Sequence, residues 1–394
     1  MSVAIITDND FDKTNGVTTT LEALLRHAPR DLRVRVYTAS DLEIDEPQYL
    51  AIRSLSLPIP FYGDMRMYVP RVGRLRRELA ADGVRLVHVT TPGPVGLAAR
   101  YLGASEDLPL VGSFHTNLGD YTAILSGSPR LGRLMDAYMR WLYGRCQPVL
   151  VPSHDTLEHL VSKRWRRDRL ALWPRGVDTI LFSPARRSLE LRQRWSVGER
   201  RPALLYVGRV SREKGLDVLE PLGALLHRYR ASHRLIIVGD GPMTPELKER
   251  CPDAVFTGNL RHEDVAVVMA SADVLVFPSE TDTAGNVVLE AQASGLPVVV
   301  ADGGGARENM RDEETGYVCR SRDAADFCRR IAELLYDADR RTQMSAAARR
   351  FAAGRSWTAA LEPVFSAYRY QLARAACARP NGAVPLAGGA ASRL

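Results

Sequence analysis

A chain of 394 residues, 45% hydrophobic and 25% charged, has ordinary globular composition and the length of two domains rather than one. Its formal charge of +7 is spread evenly, with 23 basic and 20 acidic groups up to residue 178 and 30 and 26 after it, which argues against a basic tail for nucleic acid. The longest apolar runs, such as Val-Leu-Val-Phe at 274–277, are strand-sized and fall far short of the ~18–20 residues of a membrane-crossing helix.

The chain opens Met1-Ser2-Val3-Ala4-Ile5-Ile6-Thr7 and turns acidic at Asp8 and Asp10, without the basic start and longer apolar core of a secretory signal. Val3–Ile6 predicts a buried strand, as do Arg33–Tyr37, Leu86–Val89, Leu110–Phe114 and Pro148–Val151, with helices at Thr20–His27 and Val72–Ala81 among the segments between them. Pro174-Arg175-Gly176-Val177-Asp178 and Phe182-Ser183-Pro184 carry turn chemistry without periodicity, and the arginine-rich stretch 186–201 reads as a surface helix or linker. The pattern then restarts with strands at Ala203–Val207, Leu235–Val238, Val274–Phe277 and Pro297–Val300, separated by helices at 216–229, 245–250, 262–270 and 286–294. Amphipathic helices follow at 323–336 and 340–353, Trp357–Ala376 reads as a last helix, and 379–394 as a disordered tail. Continuous apolar strands alternating with helices mean parallel sheets covered on both faces, and two such series mean two doubly wound domains.

The chemistry-bearing segments lie in the second half. Tyr206-Val207-Gly208-Arg209-Val210-Ser211-Arg212-Glu213-Lys214-Gly215 follows a strand, where a doubly wound domain binds its ligand. Arg209 offers a planar fork and Lys214 a compact point charge, a pair suited to a diphosphate. Of the 53 basic residues only Lys13, Lys163, Lys214 and Lys248 are lysine, so a lysine kept at 214 suggests that the ammonium itself is needed. In Phe277–Ala291, Gly285 leaves the amides of Asn286 and Val287 at a helix N-terminus, a phosphate-binding arrangement, and Glu290 one turn further is placed to accept from ribose hydroxyls. Taken singly, each of these is equally an exposed loop charge or helix carboxylate; in this order and setting they form a set.

That set resembles the retaining family-4 glycosyltransferases over nearly the whole chain. The subgroup it is similar to carries Thr-Asp-Thr-x-Gly-Asn-Val-Val-Leu-Glu-Ala, as in GDP-mannose-dependent α-mannosyltransferases and plant-type sulfolipid synthases, many of which use lipid-linked acceptors. The resemblance implies the α/β GT-B fold, two Rossmann-like domains facing a central cleft: 1–175 on the acceptor side, 176–357 on the nucleotide-sugar side, and a last helix, about 358–376, packing back on the first. It further implies an Arg209–Lys214 pair and an Asp282-x7-Glu290 motif, whose first acid is commonly glutamate in the family. By the same likeness, Asn15-Gly16-Val17 closes over the donor diphosphate and His115 contacts the donor sugar. Gly239 and Val255-Phe256 border the nucleoside, and Gly285, Asn286 and Val287 hold phosphate.

The implied reaction moves a hexose, mannose from GDP-mannose, to a hydroxyl acceptor with retention, without a catalytic nucleophile. No histidine cluster or cysteine pair supplies ligands, so no metal and no cofactor are expected. Five cysteines without paired spacing suit a reduced, cytoplasmic chain. Two basic clusters, Arg66–Arg77 and Lys163–Arg169, are either solvated helix faces or a contact with anionic lipid at the inner face of the membrane, with Trp165 as an interfacial anchor. A UDP-sugar transferase of the same fold, a sugar-nucleotide epimerase and a nucleotide-sugar-binding protein without turnover are the competing readings.

Overall fold

The computed structural model describes residues 1–9, 16–59 and 62–378. Asn15 and the expected tail at 379–394 lie outside the described residues.

The first half builds a sheet from β1 (Ser2–Ile6), β2 (Arg33–Ser40), β3 (Ile44–Glu46), β4 (Tyr49–Arg53), β7 (Leu86–Val89), β8 (Leu110–Ser113), β9 (Val149–Val151) and β10 (Leu170–Leu172), while β5 (Leu55–Ile59) and β6 (Tyr62–Val69) pair separately as a hairpin. The order is β10-β9-β8-β7-β1-β2-β4-β3, parallel except for the edge strand β3. Helices α1 (Gly16–Arg26), α2 (Val72–Ala81), α3 (Pro94–Ser105), α4 (Leu118–Ser126), α5 (Pro129–Tyr143) and α6 (His154–Ser162) cover it. The segment 44–69, which carried no strand expectation, is thus strand throughout most of its length: β3 is a short, partly exposed edge strand, whereas β4 is mostly buried and runs parallel to β2.

The second sheet, all parallel, runs β13-β12-β11-β14-β15-β16, from β11 (Ala203–Val207), β12 (Arg234–Val238), β13 (Val255–Gly258), β14 (Val274–Phe277), β15 (Val298–Ala301) and β16 (Gly316–Cys319). Its helices are α7 (Leu189–Arg194), α8 (Leu219–Arg228), α9 (Thr244–Arg250), α10 (His262–Ser271), α11 (Asn286–Ala293), α12 (Ala324–Tyr336) and α13 (Ala338–Ala353). The segment expected as a surface helix or linker is tied down: Asp273 pairs with Arg192 at 2.9 Å and with Arg187 at 3.0 Å, and Arg192 is buried.

The last helix, α14 (Trp357–Ala378), returns to the first sheet, where Trp357, Leu361, Val364, Phe365 and Tyr368 join the core formed by Val3, Ile5, Leu21 and Leu24. The Tyr368 hydroxyl meets His88 Nδ1 at 2.6 Å inside that core. The chain therefore crosses between the sheets twice, and the crossings touch: Val177 N donates to Arg355 O, and a Cβ on Gly176 would stand 2.6 Å from the Trp357 Cα. In each sheet the strand order reverses beside the first strand, at β1/β7 and at β11/β14, which puts a ligand crevice at the carboxyl ends of those strands.

Candidate active site

The β11 and β14 loops press on each other at that crevice. Gly215 sits at φ +68°, and a Cβ there would stand 2.7 Å from Pro278 O, so the position calls for glycine. This contact brings Lys214 Nζ to 2.6 Å from Asp282 Oδ2, with both side chains mostly covered. Burial works against the ammonium, but Asp282 and the phenols of Tyr121 and Tyr206 outweigh it and hold Lys214 well above the usual lysine range, so it stays charged. Arg209 is half-buried on the same loop, and its carbonyl accepts from the Tyr206 hydroxyl at 2.9 Å. Gly239 abuts the Gly208 carbonyl so tightly that a Cβ would come within 2.0 Å. Its amide donates to Gly258 at the end of β13, the strand that carries half-buried Val255 and Phe256 at the sheet's edge.

Gly285, at φ +64°, turns the chain into α11 where a Cβ would stand 2.6 Å from the Ala306 Cα. Asn309 buttresses the turn by donating to the carbonyls of Ala284 (2.5 Å) and Gly285 (3.3 Å). Asn286 Nδ2 reaches across to Gly16 O at 3.3 Å, so the N-termini of α1, which includes Val17, and α11 meet from opposite domains. The positive ends of the two helix dipoles make this junction attractive to an anion. One turn into α11, Glu290 Oε1 lies 3.3 Å from His262 Nε2 at the start of α10. Burial disfavours the imidazolium, yet Glu290 prevails and raises its pKa. His262 was not among the sequence candidates, since nothing local marks a histidine whose partner is 28 residues away.

From the first domain, His115 stands at the end of β8. Its Nε2 lies 2.7 Å from Ser113 Oγ, its Nδ1 3.3 Å from Arg175 Nη2, and its carbonyl accepts from Thr283 Oγ1 at 2.7 Å. Thr283, next to Asp282, also offers its own carbonyl to the hydroxyls of Ser153 (2.9 Å), which caps α6, and of Thr156 (3.2 Å) in its first turn. Glu308 completes this junction by accepting from the amides of His154 (2.8 Å) and Asp155 (2.6 Å). A crevice of about 800 Å³ beside this junction is lined by Ser153, His154, Glu158, Pro174, Arg307 and Arg355. The structure thus gathers Lys214, Asp282, Gly285, Asn286, Gly16 and His115 around one cleft; Thr283 and Arg175 are added to the expected set.

The spacing Asp-x-Asp occurs at Asp8-Asn9-Asp10, at Asp10-Phe11-Asp12 and at Asp337-Ala338-Asp339, with 10–12 outside the described residues. Asp8 is spent inside the fold, accepting from the amides of Val95 (2.8 Å) and Gly96 (3.3 Å) and from Thr91, and Asp337 caps α13. Among the described residues no group of three or more His, Cys, Asp or Glu side chains is placed to hold a metal.

Much of each basic cluster is held in ion pairs. Arg74 bonds Glu43, Arg76 pairs with Glu106, Arg167 with Glu158, and Lys163 with both Asp120 and Asp136. Trp165 is no interfacial anchor: it is buried between the rings of Phe114 and Tyr143.

Two doubly wound domains meeting at a cleft, with helix N-termini and cationic loops turned to it, are the architecture of a GT-B glycosyltransferase. The profile described as Glycosyltransferase Family 4 matches residues 14–181, and one described as Glycosyl transferases group 1 matches 201–337. A GDP-mannose-dependent alpha-mannosyltransferase of Mycolicibacterium smegmatis is 32% identical over 386 residues, 95% of this chain and 98% of its own. Its Corynebacterium glutamicum counterpart is 30% identical over 91% of this chain and 86% of its own. The sulfoquinovosyl transferase SQD2 of Arabidopsis thaliana is 33% identical over 78% of this chain and 61% of its own. Among solved structures, sucrose-phosphate synthase from Thermosynechococcus elongatus superposes with a TM-score of 0.75 at 21% identity, covering 95% of this chain and 99% of that one, which shows the fold. The chain belongs to glycosyltransferase family 4.

Proposed function

We propose that the protein transfers mannose from GDP-mannose to a hydroxyl acceptor with retention of configuration and without a metal ion. The observation that carries the donor assignment is the similarity, over nearly full length, to transferases that use GDP-mannose. The geometry supports the chemistry. Charge that develops on the departing diphosphate meets Arg209, Lys214 and the paired N-termini of α1 and α11, all fixed before the reaction starts. The bond from the anomeric carbon to the β-phosphate oxygen breaks as the acceptor oxygen bonds to the same face, and the acceptor proton passes to the phosphate oxygen that leaves. Glu290 holds the nucleoside end, and Asp282 keeps Lys214 charged beside the sugar.

A lipid-linked acceptor suits a second surface. On α5, Leu131, Leu134 and Trp141 are exposed in one stripe. Arg130, Arg133 and Arg140 flank it, and its one acid, Asp136, is neutralised by Lys163. Leu97 and Tyr101 of α3 extend the patch, since Arg100 between them lies 4.4 Å over the Trp141 ring. An apolar stripe between arginines fits the interface of an anionic bilayer, and α5 lies one short helix beyond His115.

Thermal shift with a panel of nucleotide sugars tests the donor: a ligand at 100 times its Kd stabilises by about 2.7 kcal/mol. GDP-mannose is expected to stabilise more than UDP-glucose, and EDTA to leave turnover intact. Stronger stabilisation by UDP-sugars transfers the assignment to a UDP-sugar enzyme; a requirement for Mg or Mn ions overturns the metal-free mechanism.

A further inference from the structure

Arg175 stands in Pro174-Arg175-Gly176-Val177-Asp178, a segment that the sequence marks only as a turn. It is 3% exposed, and no carboxylate among the described residues bears on it; burial alone pulls its guanidinium down to about 9. A buried charge without a counter-charge is costly, and proteins place one where the charge is used. The guanidinium is oriented from three sides. It lies 4.6 Å over the Trp173 ring, Nη1 donates to Trp173 O at 3.0 Å, and Nη2 faces His115 Nδ1 at 3.3 Å. The Trp173 ring also stands edge-on to the His115 ring, so one tryptophan braces both side chains.

Guanidinium nitrogens only donate, so Nδ1 of His115 must be the acceptor and carries no proton. A neutral ring then carries its hydrogen on Nε2, where Ser113 Oγ at 2.7 Å receives it. We propose that Arg175 is a positioning residue for sugar transfer, acting through His115: it fixes the ring as the neutral Nε2–H tautomer, a hydrogen-bond donor with no lone pair free to take a proton. His115 is thereby excluded as a base, which leaves the acceptor proton to the departing phosphate. The same clamp steadies the His115 carbonyl that Thr283 holds, and through it the Asp282 loop. The role in transfer rests on the function proposed above, whereas the tautomer does not depend on it.

Burial keeps His115 well below the usual imidazole range, with Arg175 and His88 adding to the effect. His88 is itself neutral, pulled down to about 3 by burial. Nitrogen-15 NMR of histidine-labelled protein tests the clamp without any substrate, with His115 assigned by the signal lost in His115→Gln. The expected wild-type spectrum shows an unprotonated, hydrogen-bonded Nδ1 and a protonated Nε2 from about pH 5 to pH 8. In Arg175→Met the Nδ1 signal should lose its hydrogen bond, and the His115 pKa should rise by the part that Arg175 adds to burial. Donor consumption should then fall roughly tenfold or more through misplacement and gain an acid limb, lost as pH drops through the raised pKa. Arg175→Lys keeps the cation and should lack that limb. A wild-type His115 protonated on Nδ1, or titrating near 6.5, overturns the proposal even if the methionine variant does not fold. So does a folded Arg175→Met with unchanged His115 signals. A confirmed tautomer beside inactivity toward every sugar donor would instead remove the sugar-transfer reading alone.

Discussion

Lys214 and Asp282 form a mostly covered pair, so neither side chain acts alone. The carboxylate is what offsets the burial that would discharge the ammonium. Lys214→Ala should lower turnover by about 100-fold or more, the usual cost of removing one preorganised donor from a developing oxyanion. Asp282→Asn is more diagnostic. The folded-state pKa of Lys214 is raised, so the ammonium survives far into the alkaline range in the wild type. Without the carboxylate that pKa falls, and activity should disappear as pH rises through the lowered value. Donor consumption measured from about pH 6 to pH 10 should therefore show an alkaline limb at lower pH in Asp282→Asn than in the wild type. Coincident profiles would mean that Asp282 only orders the loop.

Among the elements, α5 carries the clearest expectation about a surface. Each basic group near an anionic bilayer contributes about 1 kcal/mol, and the exposed Leu134 and Trp141 add apolar insertion. Co-sedimentation with vesicles containing anionic lipid should be lost in Leu134→Glu and weakened by Arg133→Glu. Reversing Arg166 and Arg167, which are committed to Asp168 and Glu158, should change little. If the Arg166 and Arg167 reversals abolish binding while the α5 variants bind normally, the membrane surface lies elsewhere. The elements also show where the sequence was legible. Buried parallel strands such as Val274–Phe277 announce themselves as apolar runs, and Lys214 and Gly285 stand in loops after strands, with Glu290 on the helix that follows Gly285, as the strand-loop-helix pattern reads. β4, with its short run Leu50-Ala51-Ile52, was legible and passed over, whereas the edge strand β3 and the β5–β6 hairpin gave no such run. Nor did Arg175, Thr283 and Glu308: their partners are 60, 168 and 154 residues away, and a hydrogen bond across that separation leaves no local pattern.

At the scale of the whole molecule, the returning helix sets the order in which the protein can be completed. The core of the first sheet contains Leu361, Val364, Phe365 and Tyr368, which a ribosome makes only after the entire second sheet. During synthesis the first domain waits with an apolar trough along β1 and α1, and the second domain, whose core draws nothing from α14, can close ahead of it. A chain ending at residue 356 should therefore leave the first half sticky rather than merely inactive. Expressed alone, it should partition into aggregates, and adding residues 357–378 as a separate peptide should recover soluble protein. Recovery that needs no peptide would show that the trough can close on itself. The helix made latest among the described elements is thus the finishing piece of the sheet made first.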